Sequence, residues 1–201
     1  MAAGEGRRLR PLTERWPKPM LPIDGRPVIV SVLRELAAAG AGVVYVVTGH
    51  LAEKLERLLG DGSAFRLELR YVHQPRAEGS ADTVTRALAA GARLPLVCSG
   101  ADNVFAPGDL GRFARVFDAS GAAAAIGARP GGDPAPLWGL GPAVRPLLDG
   151  LSGPPFELLE AVRRAEAAGE RLEWIEIGHT RDLTDALDLV NQNFPYLRAY
   201  E

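Results

Sequence analysis

Residues 43–47 (VVYVV) are apolar without alternation, so a strand built from them needs cover on both faces. Residues 27–39 (PVIVSVLRELAAA) carry apolar side chains at helical spacing and stop at Gly40, a residue suited to a helix C-terminal cap. Behind the strand, residues 51–59 (LAEKLERLL) are amphipathic, 66–72 (RLELRYV) alternate as a strand, and 80–90 (SADTVTRALAA) read as a helix capped by Ser80 and ended by Gly91. A buried strand (LPLVCS, 94–99), a helix near 108–118 and a small-residue strand (AAAAIGA, 122–128) extend the pattern. Strands alternating with helices predict an α/β fold, a three-layer Rossmann-like sandwich around a mostly parallel central sheet.

Residues 129–142 (RPGGDPAPLWGLGP) are rich in Pro and Gly, lack periodicity and are expected to be a loop. Two helices (about 143–149 and 155–168), the strand LEWIEI (172–177) and an amphipathic helix (about 182–192) follow. With no internal repeat and no linker, the 201 residues are expected to form a single domain, 1–201. The 23 Lys+Arg and 25 Asp+Glu leave a net charge of -2, so no global field attracts nucleic acid or an anionic membrane. The longest apolar run, around 37–47, is broken by Gly40 and Gly42 and is too short for a bilayer, and the N-terminal residues carry no signal-peptide core. A cytoplasmic protein is the default expectation. Cys98 is the only cysteine, which excludes an intrachain disulfide and a Cys-based zinc site and reads as a buried inert thiol. His50, His73 and His179 lack the spacing of a metal-binding helix.

The chemistry is concentrated at the start, where residues 3–22 read AGEGRRLRPLTERWPKPMLP. Gly4 and Gly6 would let backbone N–H groups approach phosphate oxygens, and the planar fork of Arg8 suits a triphosphate. Two such glycines alone would be an ordinary turn. A loop of this kind normally follows a central strand, yet only Met1, Ala2 and Ala3 precede Gly4. The N-terminal strand is therefore expected to be truncated, with the true start upstream, because losing a central strand removes much of the core. Asp102 follows an apolar strand, where α/β sheets place ligands, and a carboxylate there can hold Mg²⁺ or cap a turn. The opening lacks the third glycine of a dinucleotide fingerprint and the spacing of a Walker loop.

Together these stretches resemble the nucleotidyltransferases that make nucleotide sugars, particularly the glucose-1-phosphate thymidylyl- and uridylyltransferase group. The signature A-A-G-x-G-x-R-L-x-P-L-T matches residues 2–13, and P-K-P-M-L-P matches 17–22. HQPRAEGSA (73–81) resembles the base-recognition segment Q-P-x-x-x-G-x-A, ADN (101–103) resembles G-D-N, and WIEIGH (174–179) resembles W-x-D-x-G-T. The resemblance implies transfer of a nucleotidyl group from a nucleoside triphosphate, dTTP or UTP favoured, to a sugar 1-phosphate with release of pyrophosphate. It implies Arg8 and Lys18 as the catalytic cations, and Ala3, Gly4, Gly6, Gln74 and Gly79 as nucleotide-binding residues. It assigns Asp102 and Glu176 to Mg²⁺, Glu176 standing where aspartate is usual.

Between residues 129 and 141 the relatives carry an extra β-hairpin whose Glu-Lys-Pro segment contacts the sugar phosphate, and this chain has neither, although Gly139 would keep a backbone contact. Two alternatives therefore stay open: a cytidylyltransferase for a non-sugar phosphate acceptor, and a non-catalytic nucleotide-binding or regulatory homologue. The aromatic end, NFPYLRAYE, could cover an interface, which leaves a homo-oligomer open.

Overall fold

Residues 43–47 form the strand they predict, and helices cover both of its faces. The structure, a computed structural model, describes residues 1–194; residues 195–201, most of the aromatic end considered as an interface, lie outside the described residues. In chain order the elements are α1 (Leu12–Arg15), β1 (Pro22–Ile23), β2 (Arg26–Pro27), α2 (Val28–Ala38), β3 (Val43–Thr48), α3 (Ala52–Leu59), β4 (Glu68–His73), α4 (Ser80–Ala89) and β5 (Leu96–Ser99). They continue with β6 (Asn103–Val104), α5 (Asp109–Ser120), β7 (Ala124–Ala128), β8 (Pro134–Leu140), α6 (Arg145–Asp149), α7 (Leu158–Ala167), β9 (Leu172–Glu176), β10 (Arg181–Asp182) and α8 (Ala186–Asn193).

Strand β3 pairs in parallel with β4, and a second sheet has the order β5-β8-β7-β9. The first two residues of the chain join the two sheets into one layer. Ala2 bridges Thr48 in parallel and donates its N–H to Val47 O at 2.8 Å. On the other side the Met1 amine donates to Ser99 O at 2.9 Å, and Ala101 N donates to Met1 O at 3.0 Å. Both patterns are parallel, so Met1 and Ala2 occupy a strand position between β3 and β5.

Alternate side chains of the layer enter two cores. Ala125, Ala135 and Leu137 face α2 and α5, packing with Val32, Phe113 and Phe117. Ala124, Ile126 and Leu140 face α4 and α7, packing with Val84, Leu158 and Val162. The alanines of β7 keep the layer thin enough for helices to close on both sides, which is the three-layer arrangement expected.

The stretch 129–142 is not the loop that its composition predicts. Most of it is β8, antiparallel to both β5 and β7. Pro134 and Pro136 sit at the end where the register with β7 slips between Ile126 and Ala128, so their missing N–H groups interrupt little of the ladder. Gly139 owes its identity to packing: a Cβ there would stand 2.5 Å from the Phe117 ring. That orientation places it in the core under α5, away from a substrate.

Cys98 lies on β5, is partly buried, and lines an apolar cavity together with Met1. Burial pushes its thiol up to about 12, partly opposed by the charge of the N-terminal amine. A thiol raised above its unfolded value contributes stability that is complete below the unfolded pKa and is lost as pH climbs toward the folded one. Thermal melting is therefore expected to fall progressively between pH 9 and pH 12, and Cys98→Ala should flatten that part of the profile; superimposable curves would refute the burial.

Candidate active site

The parallel strands end along one edge, and the segments leaving them converge on a cleft. Gly4 follows the Met1–Ala2 segment, Gln74 follows β4, and Asp102 follows β5. The cleft measures about 410 Å³, and Ala3, Gly4, Lys18, Gln74, Gly79 and Asp102 line it. Ligands of open α/β sheets occupy this edge because successive loops diverge there and leave a crevice.

The opening loop turns back on itself. Gly6 has φ +62°, and a Cβ there would lie 2.8 Å from Thr13 Cγ2 and 3.2 Å from Lys18 Cβ, so neither the backbone nor the packing admits another residue. Thr13 Oγ1 donates to Gly6 O at 2.9 Å and closes the loop, which carries Lys18 over the cleft. Gly4 differs, because a Cβ on it would meet nothing within 4 Å. Arg7 and Arg10 pair with Glu5 at 2.8 and 3.8 Å, whereas Arg8 is exposed and has no ion-pair partner among the described residues. Arg8 stands on the loop outside the cleft lining, a free cation on a short 3-10 turn.

Lys18 and Asp102, 84 residues apart, meet in an ion pair at the cleft. Their side chains are 16% and 30% exposed, so the pair is screened less than a surface pair. Asn103 Nδ2 donates to the other carboxylate oxygen at 2.9 Å. Gly100 leaves room for the carboxylate, since a Cβ there would approach Asp102 Oδ1 to 2.9 Å.

Glu176 does not join Asp102 in the cleft lining. It ends β9, an exposed position three strands from β5, about 14 Å away at the usual strand spacing. Among the described residues there is no cluster of three His, Cys, Asp or Glu side chains placed to hold a metal ion. The hard oxygens of Asp102 nevertheless suit Mg²⁺, which binds through one or two carboxylates and takes its remaining ligands from phosphates and water.

Gln74 is 3% exposed and braced from three directions. Its Nε2 donates to Asp82 Oδ2 at 2.6 Å and to Gly79 O at 3.3 Å, while Oε1 accepts from Thr83 Oγ1 at 3.4 Å. A carboxylate against Nε2 fixes which way the amide faces and leaves Oε1 a second lone pair. Asp82 is itself held by Arg86 Nε at 2.6 Å, and Arg86 also reaches Glu78 at 3.4 Å. Gly79, with φ +110°, is jammed against the Phe156 backbone: a Cβ would sit 2.2 Å from Phe156 O.

Residues unassigned from sequence also belong here. Asp82, Arg86 and Glu78 orient Gln74, and their signal is an i, i+4 pair on α4 that reads as ordinary helix-surface charge. Glu157 and Trp138 line the cleft, and Glu157 Oε2 accepts from Ser80 Oγ at 2.5 Å. Trp138 Nε1 is buried with no partner among the described residues, which leaves one donor to be satisfied beside the cleft. If Asp82 sets the Gln74 amide, Asp82→Asn should remove a charge-assisted hydrogen bond from that buried side chain and lower Tm by a few degrees in thermal melts; an unchanged Tm would refute that role.

Solved structures agree on the fold. One of a protein described as a glucose-1-phosphate thymidylyltransferase from Bacillus anthracis superposes with a TM-score of 0.85 at 19% identity, over 96% of this chain and 91% of that one. A UDP-glucose pyrophosphorylase complexed with UDP-glucose superposes with a TM-score of 0.82 at 17% identity, over 98% and 97%. Among curated proteins, N-acetylmuramate alpha-1-phosphate uridylyltransferase of Neisseria meningitidis is 40% identical over 75 residues, 37% of this chain and 32% of its own length. Mannose-1-phosphate guanylyltransferase of Mycobacterium tuberculosis is 41% identical over 80 residues, 40% and 22%. The aligned segments thus span under a third of these relatives. No helix among the described residues is long and apolar enough to cross a membrane. The family described as Nucleotidyl transferase matches residues 1–137, a span that holds every cleft residue from Ala3 to Asp102, and the chain belongs to that family.

Proposed function

We propose that the chain transfers a nucleotidyl group from a nucleoside triphosphate to a sugar 1-phosphate, releasing pyrophosphate. The observation that carries this reading is the meeting of Lys18 and Asp102 beside Gly4 in one cleft at the C-terminal edge of the sheet. An oxygen of the sugar phosphate attacks the α-phosphorus, the new P–O bond forms as the bond to the bridging oxygen of the β-phosphate breaks, and pyrophosphate leaves with that electron pair. No proton transfer is required, so the protein supplies alignment and charge neutralisation.

Ala3 and Gly4 present backbone to the triphosphate, Gly6 shapes the turn, and Lys18 and Arg8 neutralise charge on the transferring and leaving phosphates. Mg²⁺, which the Asp102 carboxylate would hold without Glu176, would offset the repulsion between the two phosphates when bound. The Gln74 carbonyl oxygen accepts a pyrimidine ring N–H, and the backbone N–H of Gly79, which has no hydrogen-bond partner among the described residues, donates to the neighbouring ring carbonyl. That acceptor and donor pair matches the edge shared by uracil and thymine, so dTTP or UTP is the donor. The Glu157 carboxylate, which lines the cleft, offers hydroxyl contacts to the sugar in place of the Glu-Lys-Pro hairpin. Relatives whose names specify sugar 1-phosphates support this acceptor over an alcohol phosphate.

The test is pyrophosphate release with dTTP, UTP and CTP against a panel of sugar 1-phosphates and polyol phosphates. Turnover with a pyrimidine nucleotide and a sugar 1-phosphate is expected. Turnover with a polyol phosphate alone, or none with any acceptor, would overturn the reading.

A further inference from the structure

The short helix α1 (Leu12–Arg15) sits in the middle of the opening loop, between Gly6 and Lys18, and it cannot satisfy its own C-terminal carbonyls. The amides that a continuing helix would offer to Thr13 O and Arg15 O belong to residues 17 and 19. Both are proline and carry no N–H. The missing donors come from the turn after β3. His50 Nε2 lies 2.7 Å from Thr13 O. Lys54 Nζ donates to Arg15 O at 2.6 Å, and the same ammonium stands over the Trp16 ring, 5.4 Å from its centre. The turn reaches the loop because Gly49 allows it to: a Cβ there would stand 2.7 Å from Ala3 O and 3.0 Å from Gln74 O. Directly after His50, Leu51 has φ +55° and ψ +36°, a left-handed conformation that a bulky side chain rarely adopts. Strain of this kind persists where the surroundings hold it, and it collects at functional sites.

We propose that His50 is a positioning residue for the opening loop: its ring N–H replaces the amide that Pro17 lacks, and through Thr13 it fixes the turn that carries Lys18 to Asp102. A carbonyl oxygen only accepts, so Nε2 holds the hydrogen and the neutral ring is the Nε2–H tautomer. Thr13 is 1% exposed, so water is a poor substitute for His50 at that carbonyl. The same residue donates from Oγ1 to Gly6 O at 2.9 Å, and an added Cβ on Gly6 would meet both Thr13 Cγ2 and Lys18 Cβ. A shift of Thr13 is therefore passed to the Gly6 turn and to the base of the Lys18 side chain. Gln74 and Gly79 bind through a separate set of bonds to Asp82, Thr83 and the Phe156 strap, so the base side of the cleft is independent of His50.

The experiment compares the parent with His50→Phe, which keeps a ring and loses the donor, and His50→Gln, whose amide N–H stands where Nε2 stood. Amide hydrogen exchange over residues 5–18 is expected to quicken about tenfold in His50→Phe, with β4 and α5 exchanging as in the parent. The effect on turnover rests on the transfer proposed above: kcat for pyrophosphate release should fall about ten- to 100-fold while KM for the nucleotide stays within about threefold, since Lys18 is displaced and the base contacts are not. His50→Gln should restore both the exchange and kcat to within about threefold of the parent. If His50→Phe does not fold, His50→Asn, whose amide stops short of Thr13 O, takes its place with the same expectations. Unchanged exchange over 5–18 overturns the proposal; so does a loosened loop with parental kcat, or a His50→Gln variant no better than His50→Phe. Exchange needs no nucleotide, so a parent without turnover sinks the proposed function, and exchange alone then decides whether His50 anchors the loop.

Discussion

Lys18→Met is expected to lower turnover roughly 100- to 1,000-fold, the loss usually seen when one preorganised charge-stabilising group is removed from a reacting centre. Two roles make the loss large. In the structure Lys18 compensates Asp102, and in the proposed reaction it faces the phosphates on which negative charge is carried. The first role is modest in stability terms, because Asp102 keeps 30% exposure and solvent screens the pair; melting should drop by only a few degrees, about 1 kcal/mol. The second depends on position, so Lys18→Arg should rescue poorly, since a planar fork does not replace a compact ammonium. Asp102→Asn should cost a comparable factor, and the double variant should lose less than the product of the two, because the residues share one cleft. The measurement is kcat for pyrophosphate release alongside thermal melts. Turnover within threefold of the parent in Lys18→Met would sink the assignment.

The parts of this site that could be read from sequence are those whose chemistry is local. Gly4, Gly6 and Lys18 lie within one 20-residue stretch, and the turn at Gly6 brings them together through contacts that the stretch itself supplies. Asp102 was legible because an apolar strand precedes it and strand ends gather at one edge. Helices α2 to α5 were legible for a similar reason, their apolar spacing and glycine stops being written in order along the chain.

What could not be read depends on partners distant in sequence. β8 carries two prolines and a glycine and is a strand only because β5 and β7 flank it on both sides, so tertiary pairing overrides composition. Gly139 reads in the sequence as a ligand contact, whereas in the fold it packs against the Phe117 ring. Likewise Glu157 and Trp138 reach the cleft from the residue before α7 and from β8, and no local pattern announces either.

The contrast between Gly4 and Gly79 separates the two reasons a glycine stands in such a cleft. Gly79→Ala is expected to destabilise the fold by about 3 kcal/mol or more: a non-glycine at φ +110° costs roughly 1–3 kcal/mol, and overpacking against a fixed neighbour costs roughly 1–3 kcal/mol more. The neighbour cannot yield easily, because the clash at 2.2 Å is with the Phe156 backbone carbonyl. That carbonyl accepts from Ala81 N at 2.9 Å, and Phe156 N in turn donates to Glu78 O at 2.7 Å. Moving this strap would release the start of α7 from α4, including the Ser80 contacts to Glu157 and Leu158. Melting should fall by roughly 6–12 °C at 2–4 °C per kcal/mol, and activity should fall with it. Gly4→Ala should behave in the opposite way, since its Cβ meets no protein atom within 4 Å. Its Tm should stay within about 1 °C of the parent, while KM for the nucleotide rises roughly tenfold because the methyl occupies space that a phosphate needs. If Gly4→Ala melted early, or bound nucleotide as tightly as the parent, the open face of the loop would not be where the triphosphate lies.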